Sequence, residues 1–150
     1  MEILKLLPVC KDYLWGGDKL KKFFNKKCNT EILAETWELS CHKDGNSVIE
    51  NGKYKGKTLS EYIEKENKKP LGTNCERFKN FPILIKFIDS RQPLSLQVHP
   101  DDKYALENEG QYGKTEMWYI IDCEENSFIY YGFKNPISKE EFKKHIEEGT

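Results

Sequence analysis

The chain predicts a mainly β fold, a sandwich or barrel with helices at its periphery, and three observations carry that prediction. About seven runs of strand length and strand character occur along the 150 residues. Gly-Gly and Asn-Gly pairs punctuate them. Helical periodicity, by contrast, is confined to short stretches that open on a capping signal.

The elements follow in order. Residues 3–9 are mostly apolar and suit a first strand. WGGDKLKKFF then turns at Gly16-Gly17, after which Asp18 can cap a short helix carrying Leu20, Phe23 and Phe24. ILAETWELS, residues 32–40, reads as a strand with Leu33, Glu35, Trp37 and Leu39 on one face and Ile32, Ala34, Thr36, Glu38 and Ser40 on the other. The first face is the one expected to be buried, and Glu35 then needs a partner. Asn51-Gly52 lies between two short β-like runs and signals a hairpin.

TLSEYIEK sets Thr58 three residues before Glu61, a capping-box spacing, with Leu59, Tyr62 and Ile63 on one helical face. FPILIKFID, residues 81–89, is a nearly continuous apolar run that fits a strand covered on both sides. LSLQVH (94–99), GKTEMWYIID (113–122) and NSFIYYGF (126–133) supply three more strands, with a short helix at DDKYALENEG between the first two. Ser138 and Glu141 form a second capping box, opening a helix with Phe142 and Ile146 turned inward. No repeat or linker divides the chain, so residues 1–150 are expected to belong to one domain without an internal boundary.

Composition narrows the function. Lys and Arg number 24 against 25 Asp and Glu, a formal net charge of −1, which gives no electrostatic reason to propose nucleic acid or an anionic membrane as partner. The five cysteines, at 10, 28, 41, 75 and 123, are odd in number and scattered, so neither a zinc ribbon nor a disulfide scaffold is expected. The opening residues are too short and too interrupted for a membrane span or a signal h-region. A cytoplasmic protein with free thiols is the expectation.

One constellation could carry chemistry. On a strand, residues two apart share a face, so Ser95, Gln97 and His99 project together, with the Cα atoms of Gln97 and His99 about 6–7 Å apart. If the strand at 113–122 runs nearby, Glu116 joins them with a carboxylate, and an amide oxygen, an imidazole nitrogen and a carboxylate oxygen suit zinc or a similar divalent ion. A polar outer face of an antiparallel sheet would show the same pattern. Pro100-Asp101-Asp102 reads as an ordinary turn or helix start.

LSLQVHPDDKYALENEGQYGKTEMWYIID resembles the metal-site signature of the type I mannose-6-phosphate isomerases in their short bacterial form. LWGGDKL (14–20), AETWELSCH (34–42), FPILIKFIDS (81–90) and YGF (131–133) match in the same order and spacing, so the resemblance spans nearly the whole chain. It implies a cupin-like jelly roll, incomplete within these residues, and an enzyme that interconverts mannose 6-phosphate and fructose 6-phosphate. It also implies that Gln97, His99 and Glu116 are three of four protein ligands to one Zn2+. Lys114, two residues before Glu116, matches a lysine that lines the family's active site and is its candidate catalytic group.

The family's fourth ligand, a histidine in a G-T-x-H-A type strand, and its active-site arginine have no counterpart in the 150 residues. His145 falls in the last predicted helix and reads as a solvated residue, and His42 beside Cys41 suits a structural or supporting role. Gly113 departs from longer relatives, which often carry histidine there. The 150 residues by themselves are therefore expected to show little or no turnover, and a jelly roll cut midway would leave open strand edges that invite self-association. Two other readings stay open. One is a non-catalytic metal- or sugar-binding cupin fragment. The other is a cupin oxygenase, although that chemistry favours two imidazoles and a carboxylate around iron.

Overall fold

The strand Glu35–Leu39 (β3) is flanked on both sides, by Val9–Lys11 (β2) and by Ile85–Ile88 (β7), in an antiparallel three-stranded sheet. Register pairs Cys10 with Thr36 and Thr36 with Phe87, and the β3–β7 ladder shifts between Trp37 and Leu39. The computed structural model describes residues 3–150 and divides into two compact units, Met1–Leu94 and Ser95–Thr150.

In the first unit two small ribbons accompany the sheet. Leu6–Leu7 (β1) pairs with Val48–Ile49 (β6), and Cys41–His42 (β4) pairs with Gly45–Asn46 (β5). Leu33, Ala34, Thr36 and Ser40 are all fully buried, so β3 and its approaches are covered on both faces, not on one. A central strand has neighbours on each edge and packing on each side, which overrides the simple alternation read from ILAETWELS. The run FPILIKFID behaves in the opposite way. It forms the sheet's outer strand and leaves Ile83, Leu84 and Ile85 exposed.

The Gly16-Gly17 turn works by close approach. A Cβ on Gly16 would sit 2.5 Å from the Ala34 Cα, and one on Gly17 would meet the Asp89 carboxylate. Lys19–Lys22 (α1) follows, burying Leu20. Asp18 occupies its N-cap without a side-chain bond; the Lys19 amide donates instead to Asp89 Oδ2 at 2.7 Å. Phe23 is exposed, and Phe24 packs against Phe87 with ring centroids 5.4 Å apart.

Asn51-Gly52 lies in an antiparallel return, with Val48 bridging Thr58, but the connection is longer than a two-residue hairpin corner and Asn51 has a second task. Its side-chain oxygen accepts from the Lys5 amide at 2.7 Å and its NH2 donates to the Ile3 carbonyl at 2.9 Å, pinning the chain's first described residues. The return from β6 runs through a 3-10 turn, Gly52–Tyr54, before Ile49 and Lys57 meet. Leu59–Lys65 (α2) opens on the predicted capping box: the Glu61 amide donates to Thr58 Oγ1 at 3.2 Å and the Thr58 amide donates to Glu61 Oε2 at 2.7 Å. Leu59 and Ile63 are buried beneath it.

Cys10 and Cys28 are joined by a disulfide, with Cα atoms 6.2 Å apart. This corrects the expectation of five free thiols. The pairing is a tertiary contact between β2 and the loop after α1, and no local spacing advertises it. Cys41, Cys75 and Cys123 are free.

The second unit holds two helices, Asp102–Asn108 (α3) and Lys139–Glu148 (α4). Both begin where the sequence places them. The Asp101 carboxylate accepts from the Tyr104 amide at 2.8 Å, and the Ser138–Glu141 capping box is formed. Phe142 and Ile146 are only partly covered, Phe142 meeting Phe133 edge to face.

The three strands expected at 94–99, 113–122 and 126–133 are not formed as strands, and no ladder joins them among the described residues. Their apolar residues are correspondingly open, with Val98 86%, Met117 87% and Tyr131 97% exposed. A strand exists only with a hydrogen-bonded partner, so alternation alone does not make one. No helix among the described residues is long and apolar enough to cross a membrane.

Candidate metal centre

Two segments of the second unit meet at the site. The first carries Ser95, Gln97 and His99 into the turn that starts α3; the second carries Gly113, Lys114 and Glu116. Two backbone-amide hydrogen bonds tie them. The Lys114 amide donates to the Pro100 carbonyl at 3.2 Å, and the Gly113 amide donates to Asp102 Oδ1 at 2.9 Å. The approach is close enough that a Cβ on Gly113 would lie 2.5 Å from the Pro100 carbonyl oxygen. Glycine is required there by contact, since a side chain would push the two segments apart.

That clamp sets the side chains. His99 Nε2 and Glu116 Oε2 are 2.9 Å apart, and Lys114 Nζ is 3.2 Å from the other carboxylate oxygen, Oε1. The His99 and Glu116 side chains are 26% and 21% exposed, accessible to a small solute yet partly shielded from water. Lys114 and Glu116 do meet, although their segment is not formed as a strand. Gln97 takes a different contact: its amide NH2 donates to Ser95 Oγ at 3.1 Å, a bond that does not use the oxygen a cation would take.

The structure therefore brings together His99, Glu116 and Lys114, with Gln97 held through Ser95. Among the described residues no three His, Cys, Asp or Glu side chains converge, so any cation here depends on the amide of Gln97 as well. The donor chemistry fits a divalent ion of zinc type: one imidazole nitrogen and one carboxylate oxygen already within 2.9 Å, plus a neutral amide oxygen on the same segment as the imidazole. Such a set leaves part of a four-coordinate shell to other groups.

His42 and His145 lie elsewhere. His42 sits edge-on to Trp37, centroids 5.7 Å apart, and its Nδ1 accepts from the Asp44 amide. His145 is on α4, with Nδ1 2.8 Å from Thr150 Oγ1. The residues that sequence reasoning passed over are Pro100 and Asp102, read as part of an ordinary turn. Gly113, where longer relatives often carry histidine and the short form does not differ, was the available signal.

Residues 3–127 match the description "Phosphomannose isomerase type I, catalytic domain". The chain belongs to the type I phosphomannose isomerase family. Mannose-6-phosphate isomerase ManA of Bacillus subtilis is 43% identical over 149 residues, 99% of this chain and 46% of that protein. The mannose-6-phosphate isomerase of Streptococcus mutans is 43% identical over 136 residues, 91% of this chain and 42% of its own length. The crystal structure of a B. subtilis mannose 6-phosphate isomerase superposes with a TM-score of 0.87 at 44% identity, over 97% of this chain and 46% of that one. The mainly β fold class follows from that match, and no closed barrel is present among the described residues. The chain spans less than half the length of these relatives.

Proposed function

We propose that residues 1–150 form the N-terminal part of a cupin-type phosphomannose isomerase that interconverts mannose 6-phosphate and fructose 6-phosphate. Gln97, His99 and Glu116 hold a zinc ion and Lys114 acts on the sugar. The observation that carries this reading is the contact of His99 Nε2 with Glu116 Oε2, with the Lys114 ammonium on the same carboxylate.

The reaction moves a proton from C2 of the aldose to C1, passing through a cis-enediolate whose oxygen carries negative charge. A zinc ion, when bound, supplies Lewis acidity toward the sugar oxygens without redox chemistry. Glu116 has two tasks, offering one oxygen toward the cation and holding the Lys114 ammonium with the other. Lys114 thereby brings a proton and a positive charge to the oxygen on which the enediolate charge develops. Gln97 contributes a neutral oxygen, so the ligand set retains less negative charge than two carboxylates would leave.

The exposed apolar segments 94–99, 113–122 and 126–133 support association, either with a second copy or with further jelly-roll strands. A cytoplasmic address rests on the three free thiols, and the Cys10–Cys28 bridge is the observation against it, since a reducing compartment keeps such pairs open.

The test joins this chain to the remaining segment of the B. subtilis ManA protein and assays mannose 6-phosphate conversion. The 150 residues alone are expected to convert little or none, the chimera to convert it, and K114A and E116Q chimeras to lose that activity. A folded, zinc-loaded chimera that leaves mannose 6-phosphate untouched, beside an active ManA control, refutes the isomerase reading. Iron with dioxygen consumption would turn the assignment toward an oxygenase.

A further inference from the structure

We infer that Asp102 is a positioning residue for the metal centre, its carboxylate fixing the segment that carries Lys114 and Glu116 against the segment that carries Gln97 and His99. This rests on the reading of Gln97, His99 and Glu116 as metal ligands. The two ligand-bearing segments are far apart in sequence, His99 and Glu116 being separated by 17 positions, and no β-ladder joins them. Something else must hold their spacing. Beside the contact of the His99 and Glu116 side chains themselves, two backbone-amide bonds cross the gap: the Lys114 amide to the Pro100 carbonyl, and the Gly113 amide to Asp102 Oδ1 at 2.9 Å.

Of the two backbone-amide bonds, only the second depends on a side chain, and that side chain is not one of the proposed ligands. Asp101 and Asp102 divide the work of one turn. Asp101 turns back to cap α3 through the Tyr104 amide, while Asp102, the first residue of that helix, reaches out to Gly113. The bond falls one residue before Lys114 and three before Glu116. Loss of the acceptor leaves the Lys114 amide to Pro100 as the remaining backbone-amide tie of the two, so Gly113 loses its bond and the placement of Lys114 and Glu116 against His99 loosens. Groups that orient metal ligands without touching the metal commonly account for about 10–100-fold in affinity. The Gly113 close approach supports the same view, because a residue with a Cβ could not bring its amide to that carboxylate without moving the turn.

The test uses the 150-residue chain and two readouts, amide hydrogen exchange at residues 113–116 without metal and zinc affinity by competition with a chromophoric chelator. D102A is expected to lose protection at Gly113 and to bind zinc about 10-fold more weakly. D102N, whose amide oxygen accepts the same bond, is expected to keep both. H99A should lose zinc but keep Gly113 protected, and D101A should loosen α3 with zinc affinity retained. Unchanged Gly113 protection in D102A overturns the inference, as does unchanged zinc affinity in D102A when H99A has lost it. Equal loss of zinc in D101A and D102A overturns it too, by assigning the effect to the helix. Zinc uptake that survives in H99A, or that is absent from the unmodified chain, overturns the metal reading and the inference with it.

Discussion

The carboxylate of Glu35 accepts the indole proton of Trp37 at 2.7 Å, between two residues that share one face of the central strand. Its second oxygen receives Lys86 Nζ from the neighbouring strand at 3.1 Å. Glu35 is 6% exposed, so the partner that the sequence demanded for it is a pair of donors, one aromatic and one cationic. Removing the acceptor leaves a half-buried ammonium and a buried indole N–H without it. Glu35→Ala is expected to lower the stability of the first unit by about 3 kcal/mol, and Glu35→Gln, which keeps an oxygen for Trp37, by less. Chemical denaturation followed by tryptophan fluorescence checks both values.

The two capping boxes make helix stability pH dependent. The Thr58 amide, and then its hydroxyl, hold the Glu61 carboxyl below its ordinary value of 4.5, and the Ser138 amide does the same for Glu141. A carboxyl whose folded pKa is depressed stabilises the folded state above the unfolded value and loses that contribution as pH falls through the folded value. Protection of the first-turn amides of α2 and α4 should therefore hold from neutral pH down to 4.5 and decline below it. E61Q and E141Q should flatten that decline in an amide-exchange titration, each at its own helix.

The Cys10–Cys28 bridge spans 18 positions and encloses the Gly16-Gly17 turn and α1. A loop of that length is restrained in the unfolded chain by about 3 kcal/mol in the chain-entropy view. Alkylation of the denatured protein should modify Cys41, Cys75 and Cys123 without reductant and all five cysteines after reduction. Thermal unfolding should shift down on reduction, and C10S/C28S should match the reduced protein whether or not reductant is present. Five modified cysteines before reduction would remove the bridge.

What was legible in the sequence was local. Thr58 and Glu61, Asp101 and Tyr104, and Ser138 and Glu141 interact within three positions, and all three helices start as read. His99, Lys114 and Glu116 were singled out by the family frame, and their side chains do come into contact although the strands expected to align them are not formed. Contacts set by distant partners were not. β3 has β2 and β7 on its edges and buried residues on both faces, and residues 94–133 lack ladders because pairing, unlike alternation, needs a second segment. Asn51 shows the same limit on a single residue. Its neighbour Gly52 has φ 65°, as a tight turn wants, yet the asparagine side chain is occupied with residues 3 and 5.

The bond from the Lys19 amide to Asp89 Oδ2 has a consequence for the order of events during synthesis. The two residues are 70 positions apart. A four-residue helix cannot sustain itself in water, because one turn gains too few bonds to offset its nucleation. Until Asp89 has left the ribosome, the acceptor of the Lys19 amide does not yet exist. The bond can form only after the strand ending at Ile88 arrives with its aspartate, so the earliest translated helix gains this contact among the last of its unit.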